Sequence, residues 1–174
     1  HELMHYPWLL AAFFAFFFTA LNLLPIGQLD GGHVLYGLLG YKRHKPIVEV
    51  IFLAFLFYAG LGLITPFDSV DTLMWSPLYV GFLFITLKGL KKSMMDTIMF
   101  AVGIFAIQFL ISWIIPEIQG YQGWLVFSFL IGRYLGVHHP PALDETKLDT
   151  NRQLLGWLAL VVFIICASPA PIVM

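Results

Sequence analysis

Residues 22–33 read Asn22-Leu23-Leu24-Pro25-Ile26-Gly27-Gln28-Leu29-Asp30-Gly31-Gly32-His33, and they end an uncharged, apolar run that begins at Pro7. A carboxylate, two amides and an imidazole at the end of such a run are costly in lipid. Ionisable side chains at that depth face a protein interior or a wet cavity, and they mark functional sites. Pro25 withdraws a backbone donor and Gly27, Gly31 and Gly32 free the backbone, so the stretch reads as a break between helices. Backbone that leaves the helix at membrane depth is tolerated only inside protein or along a cavity. Asp30 is therefore the first candidate for chemistry. The residues alone also allow a plainer reading, in which Asp30-Gly31-Gly32 is a turn and Asp30 caps a short helix of about His33–Leu39.

Outward from this break the chain stays apolar. Of its 174 residues 60% are hydrophobic and 11% are charged, with a mean hydropathy of +0.87. Globular proteins carry about 25% charged residues, so the composition points to an all-α, polytopic transmembrane bundle. A membrane helix needs roughly 20 apolar residues. Six stretches qualify or come close: Pro7–Leu24, Pro46–Thr65, Trp75–Leu90, Met94–Ile115, Gly120–Val137 and Leu154–Ile172. Trp75–Leu90 is the shortest of them. No soluble domain interrupts the series. The expected division is residues 1–46, carrying the polar break, and residues 47–174, a C-terminal bundle.

Charge orients the spans. All nine lysines and arginines fall at alternate span ends: Lys42, Arg43 and Lys45; Lys88, Lys91 and Lys92; Arg133, Lys147 and Arg152. Asp68, Asp71 and Glu117 fall at the opposite ends. The positive-inside rule makes the basic side cytoplasmic, which puts Asp30 toward the cytoplasmic face of a multi-pass protein surrounded by lipid. Trp75, Trp113, Tyr121 and Trp124 sit near span ends, as an aromatic belt does. The net charge of −1 leaves no basic footprint for nucleic acid. One cysteine, Cys166, excludes an internal disulfide and a cysteine-rich metal cluster, and it reads as apolar filler.

The pattern Asn-x-x-Pro-x-x-x-x-Asp-Gly-Gly-His over Asn22–His33 resembles the second zinc motif of site-2 proteases, the membrane-embedded zinc metallopeptidases. The resemblance is specific over about residues 7–46, and it recurs weakly at Arg133–Leu143 and in the last apolar segment. It implies Zn2+ as cofactor, Asp30 as a metal ligand, and cleavage of a transmembrane segment of a protein substrate near the cytoplasmic face. The family's other two ligands are the histidines of a His-Glu-x-x-His helix, whose Glu is the general base. Asn22, Pro25 and Gln28 would then shape the cleft, Gly31 and Gly32 would admit a close backbone, and His33 would support the site from behind the metal.

Residues 1–5, His-Glu-Leu-Met-His, match that motif formally and invite a site built from His1, Glu2, His5 and Asp30. A helix over Pro7–Leu24 argues against it. Its roughly 18 residues rise about 27 Å, whereas ligands of one zinc lie within about 4 Å of each other. Only a first span folded back as a re-entrant hairpin would join them. The expectation is that the pattern is coincidental, that the true His-Glu-x-x-His lies upstream, and that this stretch alone is inactive. A different class also accounts for Asp30: an ion- or proton-coupled transporter or scaffold with a broken helix. Of the remaining polar residues, Lys42–Lys45 are expected to anchor the interface. His138-His139-Pro140-Pro141 is expected to be a rigid extended connector, and Gln108 an interhelical hydrogen bonder.

Overall fold

The computed structural model describes residues 6–90, 92–142 and 146–167, and every regular element among them is helical. The elements are α1 (Pro7–Asn22), α2 (Asp30–Leu39), α3 (Tyr41–Gly60), α4 (Val70–Leu73), α5 (Ser76–Leu87), α6 (Met94–Ile114), α7 (Gly123–Leu130) and α8 (Thr150–Cys166). A 3-10 turn, Lys88–Leu90, extends α5, and a π-helical turn, Ile131–Leu135, extends α7. The chain forms two compact units. One holds the described residues up to Val48 and from His139 onward, the other Glu49–His138, with α3 beginning in the first and ending in the second.

In the first unit α1, α2 and α8 pack together. Pro7 opens α1, where its missing N–H costs nothing. Phe13 stacks on Phe17 and Phe14 on Phe18 along the helix, as four-residue spacing allows. α8 starts at a cap in which Asp149 accepts from the Arg152 N–H at 3.2 Å. Small residues let α2 and α8 meet. A Cβ on Gly156 would lie 2.9 Å from Leu38, and one on Gly37 would lie 3.3 Å from Leu148. The apolar side chains of α1 and α8 otherwise point outward, with Trp8 88% and Ile165 76% exposed. Exposure of this kind on two apolar helices marks surface meant for lipid or protein.

The second unit is built on α5, α6 and α7. Ser93 caps α6 by accepting from the Asp96 N–H at 3.1 Å, and its hydroxyl donates to the Asp96 carboxylate at 2.7 Å. The buried face of α6 runs through Thr97, Ala101, Ile104, Gln108 and Ser112. There the amide of Gln108 joins two neighbours: Tyr79 donates to it at 3.0 Å, and it donates to the Phe57 carbonyl at 2.9 Å. Gly60 faces the same spot, since a Cβ there would collide with the Tyr79 hydroxyl and lie 2.5 Å from the Gln108 amide nitrogen. Backbone meets backbone where a Cβ on Gly89 would strike the Gly132 carbonyl.

Among the described residues two helical stretches are long and apolar enough to cross a membrane, Val70–Leu90 and Met94–Ile114, each 21 residues. α1, α8 and Gly123–Leu135 are apolar but shorter. The span expected over Trp75–Leu90 thus begins earlier, at Val70. Ser69 accepts from the Thr72 N–H and starts a helical turn inside what the sequence reads as a loop. α3 has 20 residues, but Lys42, Arg43 and Lys45 occupy its first turns, so less of it is apolar than its length suggests.

Candidate metal-ligand site

Asn22 closes α1, and the chain then turns through Leu23–Leu29 before α2. Leu23 donates to the Thr19 carbonyl at 2.9 Å, the last α-helical bond of α1. Ile26 donates to the Leu24 carbonyl at 2.7 Å, and its side chain is fully buried, which anchors the turn. Gly27 has φ +64°, a left-handed conformation that glycine adopts without strain.

α2 begins at Asp30, three residues before the short helix expected near His33. The reason lies in Gly31 and Gly32, both buried. A Cβ on Gly31 would collide with the Leu23 carbonyl and lie 2.8 Å from the Leu24 carbonyl carbon. A Cβ on Gly32 would collide with the Gly27 carbonyl and lie 3.1 Å from that of Ile26. Main chain of the turn therefore lies directly on the first turn of α2, and only glycine permits that approach.

This packing fixes the backbone of Asp30 while its side chain stays exposed. The N-cap position is taken by Leu29, with no side-chain cap. Asp30 sits one residue inside the helix, where a negative charge meets the positive end of the helix dipole. Its carboxylate has no hydrogen-bond or ion-pair partner among the described residues. Asn22, Gln28 and His33 are exposed as well, and Pro25 is half-buried. The polar residues of the motif thus form the surface of the first unit, over a buried apolar floor.

A carboxylate held by rigid backbone and free of partners fits one position of a metal site. Catalytic zinc takes three protein ligands and a water. Among the described residues no group of three or more His, Cys, Asp or Glu is gathered to hold a metal. A zinc bound at Asp30 would have to take its other ligands from outside the described residues. His1, Glu2 and His5 lie outside them. α1 runs unbroken over 16 residues, with no re-entrant hairpin, so its ends are about 24 Å apart.

The His138–Pro141 segment is more than a connector. Residues 138–142 are non-helical, as expected, but both imidazoles are engaged. In the first unit His139 lies edge-on to His33 with ring centroids 4.5 Å apart, and 4.5 Å from Tyr36. Tyr36 also meets His44, which is buried, at 5.3 Å, and its hydroxyl accepts the Ala142 N–H at 2.9 Å. In the second unit His138 and Lys92 each reach the Glu49 carboxylate at 2.9 Å. The sequence signal for these roles was the paired histidine itself; its partners lie about a hundred residues away.

A family comparison matches residues 1–64 to peptidase family M50, a family of membrane zinc metallopeptidases that includes the site-2 proteases. The matched region holds the whole of Asn22–His33. No curated protein and no solved structure matches the chain.

Proposed function

We propose, with the M50 match over residues 1–64 as premise, that this chain supplies the aspartate ligand of a site-2-protease-like intramembrane zinc metallopeptidase. The observation that carries the reading is Asp30, held by glycine-mediated backbone packing on an apolar floor and without a partner among the described residues. Zinc bound there supplies Lewis-acid polarisation of a scissile carbonyl and a water whose pKa falls toward about 7.

The chain's own residues divide the remaining work. Asp30 binds the metal through its carboxylate. Asn22 and Gln28, exposed at the two ends of the turn, offer amide donors and acceptors to the backbone of an extended substrate strand. Such bonds suit a transmembrane substrate, because a helix that unwinds for cleavage exposes backbone groups that must be satisfied in lipid. Gly31 and Gly32 hold the Asp30 backbone in place. The two histidine ligands and the glutamate base come from outside the described residues. The basic segregation around Lys42–Lys45 supports cleavage near the cytoplasmic face of a multi-pass protein.

The test is zinc content of the full-length protein purified with and without Asp30→Ala. Loss of stoichiometric zinc, together with loss of cleavage of a transmembrane substrate, is expected. Equal zinc in both proteins would remove Asp30 as a ligand. An absence of zinc from the unaltered protein, with transport of an ion that depends on Asp30, would replace the peptidase with a transporter.

A further inference from the structure

We propose that residues 139–142 form a strap that positions the Asp30 end of α2, with His139 and Tyr36 as its positioning residues. The proposal rests on the reading of Asp30 as a metal ligand. Gly31 and Gly32 hold the first turn of α2 on the side facing the Leu23–Gly27 turn, and α8 packs against the helix further along, at Gly37 and Leu38. Another set of contacts to α2 comes from the strap. Its imidazole packs on His33 and Tyr36, each at 4.5 Å between centroids, and its main chain donates from Ala142 to the Tyr36 hydroxyl at 2.9 Å.

The register of α2 carries this grip to the ligand. His33 follows Asp30 by three residues and Tyr36 follows His33 by three, and residues three apart are surface neighbours about 5–6 Å apart at Cβ. The strap therefore lies one helical turn from the carboxylate. Its own conformation is constrained. Pro140 and Pro141 fix φ and disfavour helix in the residue before each. His139 Nδ1 lies 2.5 Å from the Pro140 carbonyl, which can only accept, so that nitrogen carries the proton and the ring orientation is set. Outer groups bonded directly to a metal ligand are worth about 10–100-fold in metal affinity, and a strap that acts through the helix belongs at the low end of that range.

The experiment uses the full-length protein in detergent micelles, with zinc affinity read by chelator competition and ligand geometry by the visible spectrum of the Co2+-substituted protein. His139→Ala is expected to weaken zinc binding about tenfold and to shift the Co2+ bands. His139→Phe keeps a ring against His33 and Tyr36 and should recover most of the loss. Tyr36→Phe removes the hydroxyl that accepts the Ala142 N–H while keeping the ring against His139, and should give a smaller weakening and a smaller shift. Zinc affinity and Co2+ bands unchanged in His139→Ala would overturn the strap. Should that variant fail to fold, unchanged values in Tyr36→Phe overturn it instead. Asp30→Ala separates the two claims. If it retains zinc, the ligand reading fails; if it loses zinc while both strap variants bind normally, the strap alone fails.

Discussion

Gly31→Ala is the sharpest perturbation of the fold around Asp30. In an isolated helix the change would gain up to about 1 kcal/mol of propensity. Here the new methyl meets the Leu23 carbonyl oxygen and carbon and the Leu24 carbonyl carbon, all main chain. Main chain cannot rotate aside as a side chain does, and Ile26, fully buried, blocks retreat of the turn. Overpacking that forces the backbone to shift costs about 1–3 kcal/mol, and main-chain contacts this close place Gly31→Ala at the upper end. Net of the propensity gain, a destabilisation of about 2 kcal/mol is expected. Gly81 and Gly103 are internal controls, since nothing lies within 4 Å of a Cβ at either. Alanine at those positions should be neutral or stabilising by up to about 1 kcal/mol. Denaturant unfolding in mixed micelles, with zinc affinity of the full-length protein alongside, separates the three. Gly31→Ala as stable as Gly81→Ala, with unchanged zinc binding, would refute the account of why Asp30 is followed by two glycines.

Other perturbations follow from the second unit. Gly60→Ala should cost about 2 kcal/mol by striking the Tyr79 hydroxyl, and Tyr79→Phe should relieve about 1 kcal/mol of that in a double-mutant cycle read by unfolding. Gln108→Leu leaves the Tyr79 hydroxyl and the Phe57 carbonyl without their partner, so a loss of about 1–2 kcal/mol is expected in the same assay. Glu49→Ala removes the shared partner of Lys92 and His138, which are partly shielded, and should lower stability by about 1 kcal/mol, less at high salt. Ser112→Ala and Ser128→Ala remove buried hydroxyls that have no partner among the described residues and should be neutral or stabilising.

Local signals were legible in the sequence. The break at Asn22–His33 announced itself through Pro25, the glycines and a carboxylate after an apolar run, and the all-helical class followed from composition. Gln108 reads as a hydrogen bonder because an amide in an apolar span must find a partner, and it finds two. What the sequence hid depends on distance along the chain. That α8 packs with α1 and α2, while Glu49–His138 form their own unit, cannot be read from hydropathy, which is alike in every span. His139 meets Tyr36 across about a hundred residues, and no local pattern encodes that pairing. From sequence the start of α2 reads near His33, not at Asp30, because glycine reads as a helix breaker. At Gly31 and Gly32 close packing outweighs propensity. Ser69 hid the true start of the Val70–Leu90 helix in the same way, since a capping serine before an aspartate also reads as loop.

The π-helical turn at Ile131–Leu135 has a consequence for how this segment tolerates length changes. Gly136 donates to the Ile131 carbonyl at 2.8 Å, five residues back, so the turn holds one residue more than a regular helix would. Removing one residue there would restore an ordinary ladder and rotate everything after it by about 100°. Gly132, seated against the Thr86 carbonyl, marks where that surplus residue is absorbed. The bulge therefore acts as a phase shifter: single-residue deletions just after Gly132 should misdirect the chain that leads to His138, while equal deletions in the exposed Pro116–Glu117 turn should be absorbed locally.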